Sequence, residues 1–369
     1  LCGAVSLGAL ASAIGCSGPR VPDAPANEET GYSSRVNLSD SSLEDHSNDA
    51  TARDASADLG ASTLARDASS EASFDPSKAP YSRARVLELG LPVTVFRAKK
   101  LSWRRVSLLN WQAVADDLPA LRPSADGSDP KLASGRCPPG MIAVTGNGLV
   151  DRRGRDDSDE VERAQDATCE SWRVPGRICD TFSEEKWKAA SQAFPRKQMQ
   201  FCIDRFEYPN RLGEFPLVVA TYSESAAYCA REKKRLCTEA EWTFACEGEE
   251  GRPYPYGYVR DATACPLDRP RIEPDDETFA PRTTARTAKG IDGMWKGERS
   301  GAFARCSSPF GVRDTTGNVD EWTTSVRPWG YRMILKGGHW SPVRGRCRPQ
   351  TRGHGPLYVN VETGFRCCS

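Results

Sequence analysis

Cysteine and histidine are the residues of this chain best able to support redox or metal chemistry, and their spacing limits both. Fourteen cysteines occur, twelve of them from Cys137 onward. No two are separated by only two residues, so the paired-thiolate spacing of zinc ribbons and thioredoxin-like motifs is missing. The three histidines, His46, His339 and His354, are scattered and too few to complete zinc spheres. An even set of cysteines in the folded part points to a disulfide framework, and so to an oxidising compartment. A cytosolic metal-binding protein is the weaker alternative.

Three blocks combine glycine, aromatics, carboxylates and cysteine in an order that composition rarely produces. They are Arg235-Leu236-Cys237-Thr238-Glu239-Ala240-Glu241-Trp242, Gly317-Asn318-Val319-Asp320-Glu321-Trp322 and Gly364-Phe365-Arg366-Cys367-Cys368. The elements that position them follow from local pattern. Thr238-Glu239-Ala240-Glu241 is a capping box that starts a helix. An amphipathic helix precedes it over Tyr222 to Lys234, with Ser223 as expected N-cap. Phe201 to Tyr208 alternates as a half-buried strand, and Cys137 to Val144 opens the main domain with turn residues and a short apolar strand. The charged run Asp151 to Glu162 reads as a surface loop. Gly248 to Ser308 carries little periodicity and is expected to be mostly loop.

N-terminal to that domain the composition changes twice. Residues 1–16 are small and apolar up to Cys16-Ser17, which resembles a bacterial lipoprotein signal in which Cys16 is acylated, although Ala13 stands where leucine is usual. A plain secretory signal is the alternative, and both export the protein. Residues 17–80 are rich in Ser, Ala, Asp and Pro and read as a disordered tether. Residues 81–136 read as a small extension, with strand character over Val86 to Phe96 and helix-like spacing over Trp103 to Leu121. The expected location is therefore the bacterial cell envelope, with membrane contact only through the lipid anchor. No apolar run reaches the roughly 18–20 residues that cross a bilayer. The formal net charge of zero gives no electrostatic case for nucleic acid as a partner.

Over residues 137–369 the blocks resemble the formylglycine-generating enzyme (sulfatase-modifying factor) family. Lys234 to Ala245 follows the family's K-R-L-P-T-E-A-E-W-E-Y-A helix, with Cys237 in place of proline. Pro309 to Val319, Leu335-Lys336-Gly337-Gly338-His339-Trp340 and Gly364-Phe365-Arg366 match three further blocks in order. The resemblance implies an α+β, irregular and loop-rich fold related to C-type lectins and stabilised by disulfides. It pairs Cys229 with Cys367 and Cys246 with Cys347, closing loops worth roughly 4–5 kcal/mol each in the chain-entropy model. Cys237 and Cys368 are then matched extras expected to join. Proximity assigns the remainder as Cys137 with Cys202, Cys169 with Cys179, and Cys265 with Cys306.

The same resemblance removes the familiar chemistry. Active members hold copper through two cysteines after the R-G-G-S-W block; here the first position is Pro342, and Cys347 matches a structural cysteine. The serine of that block is His339, and the tryptophan of G-N-x-W-E-W is Asp320. Neither copper nor iron is expected. Calcium is the ion the resemblance implies, held by the carboxylates of Asp314 and Glu321 and the carbonyls of Gly317 and Val319, with a hydrogen-bonded turn lacking any ion as the alternative. His339, Trp340 and His354 fall in the segment that forms the family's substrate groove. Arg344, Arg346, Arg348 and Arg352 cluster around it, either to meet an acidic ligand or to pair with nearby carboxylates. The leading expectation is a non-catalytic binding or scaffold module for an unidentified peptide, protein or glycan. An oxidoreductase of the formylglycine-generating type and a structural envelope protein are the alternatives.

Overall fold

The computed structural model describes residues 94–106, 110–114, 137–155, 158–173, 177–273, 277–279, 282, 284–326 and 332–369. The signal-like segment with Cys16, the tether with His46, and the remainder of 81–136 lie outside the described residues. In chain order the first strands are β1 Thr94–Arg97, β2 Ser102–Val106, β3 Asn110–Val114 and β4 Met141–Leu149. Then come α1 Ser158–Asp166, β5 Cys169–Arg173, β6 Ile178–Phe182, α2 Glu184–Ser191, β7 Arg196–Asp204 and β8 Leu217–Val218. They are followed by α3 Tyr222–Arg231, β9 Arg235–Leu236, α4 Glu239–Glu247 and α5 Ala285–Met294. The chain closes with β10 Asp320–Thr324, β11 Met333–Lys336, β12 Gln350–Thr351, β13 Thr363–Phe365 and β14 Cys367–Cys368.

Three four-stranded sheets result, in the orders β1-β2-β3-β8, β4-β7-β14-β9 and β12-β11-β10-β13, together with the β5-β6 hairpin. The β10–β13 pair is parallel and sets Trp322 opposite Phe365. Helices α3 and α4 begin where their caps dictate. Thr238 accepts from the Glu241 N–H while Glu241 returns a bond to the Thr238 N–H, and Thr221 with Glu224 does the same for α3. The N-cap of α3 is thus Thr221 rather than Ser223, because the reciprocal partner sits three residues beyond Thr221. Each such cap stabilises its helix by about 1 kcal/mol.

Three other elements differ from expectation. The helix-like run at Trp103 is the β2-β3 hairpin, with Ser102 opposite Val114. Both faces of β3 are buried, and Asn110 and Gln112 are buried beside Trp111 and Ala113, so polarity along the strand does not report which face meets solvent. The charged segment before Glu162 enters α1, whose Val161 and Gln165 are buried. Helix α5 lies within the expected loop; Gly290 and Gly293 lower its propensity, yet Ala288, Ile291 and Met294 face the core at helical spacing.

Residues 94–114 are continuous with the main domain. Strand β3 pairs with β8, and Trp103 packs with Trp111, Ile291, Trp295 and Trp340 in one core. The buried Asp292 on α5 fixes the turn between β1 and β2, accepting from the Lys100 N–H at 2.9 Å, the Leu101 N–H at 2.8 Å and the Trp103 Nε1–H at 3.0 Å. A second core holds Tyr208, Tyr228, Trp322 and Phe365, and a third holds Ile142, Val144, Trp242 and Phe244.

All twelve described cysteines are bonded, in the six pairs named from the sequence: Cys137–Cys202, Cys169–Cys179, Cys229–Cys367, Cys237–Cys368, Cys246–Cys347 and Cys265–Cys306. Three of these span 101, 131 and 138 residues, the range in which loop closure in the unfolded chain costs most. Replacing Asp292 with alanine strands three donors at once. Asp292→Ala is expected to lower unfolding free energy by about 2–4 kcal/mol in urea titration, and a loss under about 1 kcal/mol would show that the clamp carries no weight.

Candidate functional site

The turn that leads into β10 is shaped by three consecutive demands. Asp314, Gly317 and Asn318 all have positive φ. At Gly317 a Cβ would lie 2.4 Å from the Pro266 carbonyl oxygen, so only glycine fits. The turn delivers Glu321 to a buried guanidinium: Arg366 Nε donates to Glu321 Oε2 and its Nη2 to Oε1, both at 2.6 Å. Trp242 on α4 donates its Nε1–H to the same Oε2 at 2.8 Å. The other Arg366 hydrogens reach the carbonyls of Asp204, Arg205 and Arg313.

Two further carboxylates lie in that neighbourhood. Asp314 accepts the Gly301 N–H at 2.6 Å. Glu207 accepts from Asn318 Nδ2 at 2.7 Å, and its Oε1 has no hydrogen-bond partner. Burial, followed by the charges of Asp314 and Glu321, pushes the Glu207 carboxyl well up. Burial raises Asp314 to about 6, against the Gly301 N–H and the nearby arginines. Three carboxylates thus share one internal guanidinium. A cation would correct that balance, and hard oxygen donors suit calcium. Of the expected set, Asp314, Gly317 and Val319 lie along this buried turn, and Asp314 Oδ2 is already engaged by the Gly301 N–H. Glu321 is the donor least free to join, since both its oxygens already accept hydrogen bonds. Among the described residues no group of three or more His, Cys, Asp or Glu is placed to hold a metal by side chains alone.

The second feature is a cavity of about 490 Å³ between the β10-β11 face and the loops on either side of β12. Asp320, His339, Pro342, His354, Tyr358 and Glu362 line it, with Arg271 at its edge. Glu362 accepts from Arg271 Nη2 at 3.1 Å and Asn360 Nδ2 at 2.9 Å, and burial raises its pKa. His339 Nδ1 accepts the Ser341 N–H at 3.3 Å, and its Nε2 stands 3.8 Å from Glu362 Oε1. Burial, then the charge of Arg271, lowers His339 to about 3, so its imidazole is neutral. The His354 ring stacks on Tyr358 at 3.6 Å between centroids. Asp320 is half-buried and is raised to about 8, first by desolvation and next by the charge of Glu362.

The sequence-derived groove residues therefore separate. His339 and His354 line the cavity, but Trp340 is only 2% exposed and packs on Trp295 at 4.9 Å. Its position as a groove residue is corrected by packing: the indole turns into the tryptophan core, with the His339 ring meeting it edge-on at 5.9 Å. The basic cluster is largely neutralised. Arg348 is buried against Glu247 at 2.6 Å, Arg346 bonds Asp166 and Gln165, and Arg352 bonds Asp159 at 2.7 Å. Glu362, Arg271 and Glu207 were not singled out from the sequence. The available signal for Glu362 was an acid inside the apolar run Val359-Asn360-Val361-Glu362.

This arrangement defines a disulfide-braced α+β domain of the sulfatase-modifying class, with a cavity built on the G-N-V turn and the strands that follow it. The sulfatase-modifying factor enzyme 1-like domain family matches residues 151–369, and the chain belongs to that family. Inactive C-alpha-formylglycine-generating enzyme 2 of Mus musculus is 32% identical over 165 residues, covering 42% of this chain and 49% of that protein. Hercynine oxygenase of Mycolicibacterium smegmatis is 26% identical over 181 residues, covering 42% and 37%. Formylglycine-generating enzyme of Mus musculus is 27% identical over 158 residues, covering 42% and 39%. The chain spans about half the length of the first relative and less of the other two. Among solved structures, CarF is similar with a TM-score of 0.38 at 14% identity, over 62% of this chain and 97% of that one.

Proposed function

We propose that this chain is a non-catalytic member of its family, exported and held at a bacterial cell envelope through acylated Cys16, whose cavity binds a ligand without transforming it. The observation that carries this reading is the segment from Pro342 to Cys347. Proline has no donor for a soft metal, and Cys347 is bonded to Cys246, so the segment offers no thiolate for copper. Similarity to a relative named as inactive supports the same conclusion. A peptide with the C-x-P-x-R signature, incubated with the protein, copper and reductant, is expected to keep its full thiol mass. Conversion of the cysteine would instead establish the oxidoreductase alternative.

The charges of the cavity favour a positively charged group on the ligand, such as an amine or guanidinium of a peptide or protein. Asp320 and Glu362 supply two carboxylates, Arg271 offsets one of them, and the stacked His354 and Tyr358 give an aromatic wall suited to a cation. Because Asp320 is raised to about 8, it accepts a cation in full only above that pH. Binding of an arginine-containing peptide is therefore expected to tighten from pH 6 to pH 9, and Asp320→Asn to remove that dependence. Neither His339, held neutral, nor Tyr358, raised to about 12, titrates in that window. A flat profile with unchanged affinity in Asp320→Asn would exclude this mode, and no binding by any peptide would leave a structural envelope role.

Calcium is the ion proposed for the turn, through Asp314, the Gly317 and Val319 carbonyls and a share of Glu321. Without an ion, the raised Asp314 carboxyl takes up protons more readily in the folded state than in the unfolded one. Its contribution to stability therefore falls as pH rises from about 4 to about 6. Millimolar calcium is expected to raise the melting temperature above pH 6 and to do nothing for Asp314→Asn. Equal melting temperatures in calcium and in chelator would remove the ion from the turn.

A further inference from the structure

The β5-β6 hairpin sits between β4 and β7, which are themselves direct partners. It is stapled by Cys169–Cys179 and rests on a small core of Cys179, Phe182 and Tyr254. Nothing in the cavity or the calcium turn uses it. Its outer strand carries Trp172, which is 39% exposed. Of the nine tryptophans, Trp329 lies outside the described residues, and the other seven apart from Trp172 are buried. Among the described tryptophans, this indole alone is exposed, and the hairpin that carries it is cross-linked.

Trp172 borders an open recess of about 420 Å³ lined also by Arg163, Asp166, Ala167, Arg173 and Arg177. The charges there do not cancel. Asp166 is held by Arg346, and Arg173 is held by Asp180 at 2.6 Å and Asp268 at 3.0 Å. Arg163 and Arg177 are exposed, and among the described residues neither guanidinium has an ion-pair or hydrogen-bond partner. Two unmatched guanidinium groups therefore flank one exposed indole.

We propose that this recess is a binding site for an acidic polysaccharide, with a sugar ring lying on Trp172 and its carboxylate or sulfate groups taken by Arg163 and Arg177. The indole face offers flat apolar area to the C–H face of a pyranose. The arginine fork matches the planar oxygens of a uronate and also serves a sulfate. A peptide of aspartate and glutamate alone would satisfy the arginines but has no ring to place on the indole. A single-stranded nucleic acid could stack on it, but a chain of zero formal charge lacks the field that such a partner requires. This site is separate from the cavity and does not depend on what the cavity binds.

The test is calorimetric titration of the full chain at low salt with an oligogalacturonate, a sulfated dextran oligomer, neutral dextran, poly-glutamate and an oligonucleotide. One or both acidic saccharides are expected to bind, the comparison showing whether carboxylate or sulfate is preferred, while neutral dextran does not. Trp172→Ala is expected to weaken binding by about tenfold or more, and Trp172→Phe to keep most of it. The double variant Arg163→Gln/Arg177→Gln should lose binding and flatten its salt dependence. Melting temperatures of the variants check the fold, and Trp172→Gln, which keeps a side chain but no ring, decides by the same loss should Trp172→Ala prove unstable. Failure of both acidic saccharides, indifference to Trp172, or equal binding of poly-glutamate or the oligonucleotide would each overturn the assignment.

Discussion

The buried ion pair between Arg366 and Glu321 is the contact on which the remaining architecture converges. Arg366 lies between β13 and β14, so its guanidinium reaches two sheets at once. Through Glu321 it fixes the start of β10 and, through Trp242, the helix α4. Through the Asp204 and Arg205 carbonyls it fixes the end of β7. An ion pair of this kind gains little over a well-packed apolar substitute, yet loss of one partner costs roughly 3–5 kcal/mol, because the other charge is left in the interior. That asymmetry ties the last block of the sequence to the first two. The cystines of Cys367 and Cys368 then hold the same strand covalently to α3 and to Cys237, which immediately precedes the N-cap of α4.

What the sequence disclosed and what it hid follow from the range of the interactions. The capping box at Thr238 is complete within four residues, so it was legible, as was the helix behind it. The cysteine pairs at Cys229 and Cys246 were legible through resemblance, Cys237 with Cys368 as a matched pair of extras, and the other three only as guesses from proximity, because sequence alone does not fix connectivity. The β2-β3 hairpin was not, since Arg104, Asn110 and Gln112 are buried in its strands alongside the tryptophans, and polar residues inside the core break the link between pattern and face. Helix α5 was hidden by its two glycines. The cavity was legible only in part. His339 and His354 are conspicuous as rare residues, but Asp320 and Glu362 become a pair only after β10 and β13 align, and Arg271 arrives from a loop without periodicity.

Against the family pattern, the cavity has changed its chemical character more than its position. Proline stands where sulfur would hold a soft metal, histidine where serine would be, and aspartate where an indole would be. The three positions thus present an inert ring, a neutral imidazole and a carboxyl to the cavity. The neutral His339, lodged next to Glu362, adds hydrogen-bonding capacity without charge. The cavity so lined combines two carboxyl groups, one arginine and a neutral imidazole.

The tryptophan cluster that joins the β1-β2-β3 sheet to α5 also bears on where this protein can be cut. Trp340 sits beside His339, and the wall it supports is backed by Trp295 and Trp103. The family match begins at residue 151, after β1 through β4. A fragment trimmed to that boundary would leave Trp295 bare, strip β7 of its nine-residue partner and abandon three hydrogen bonds on Asp292. The inherited module and the folding unit are therefore different lengths of chain: evolution's border runs through the middle of a core.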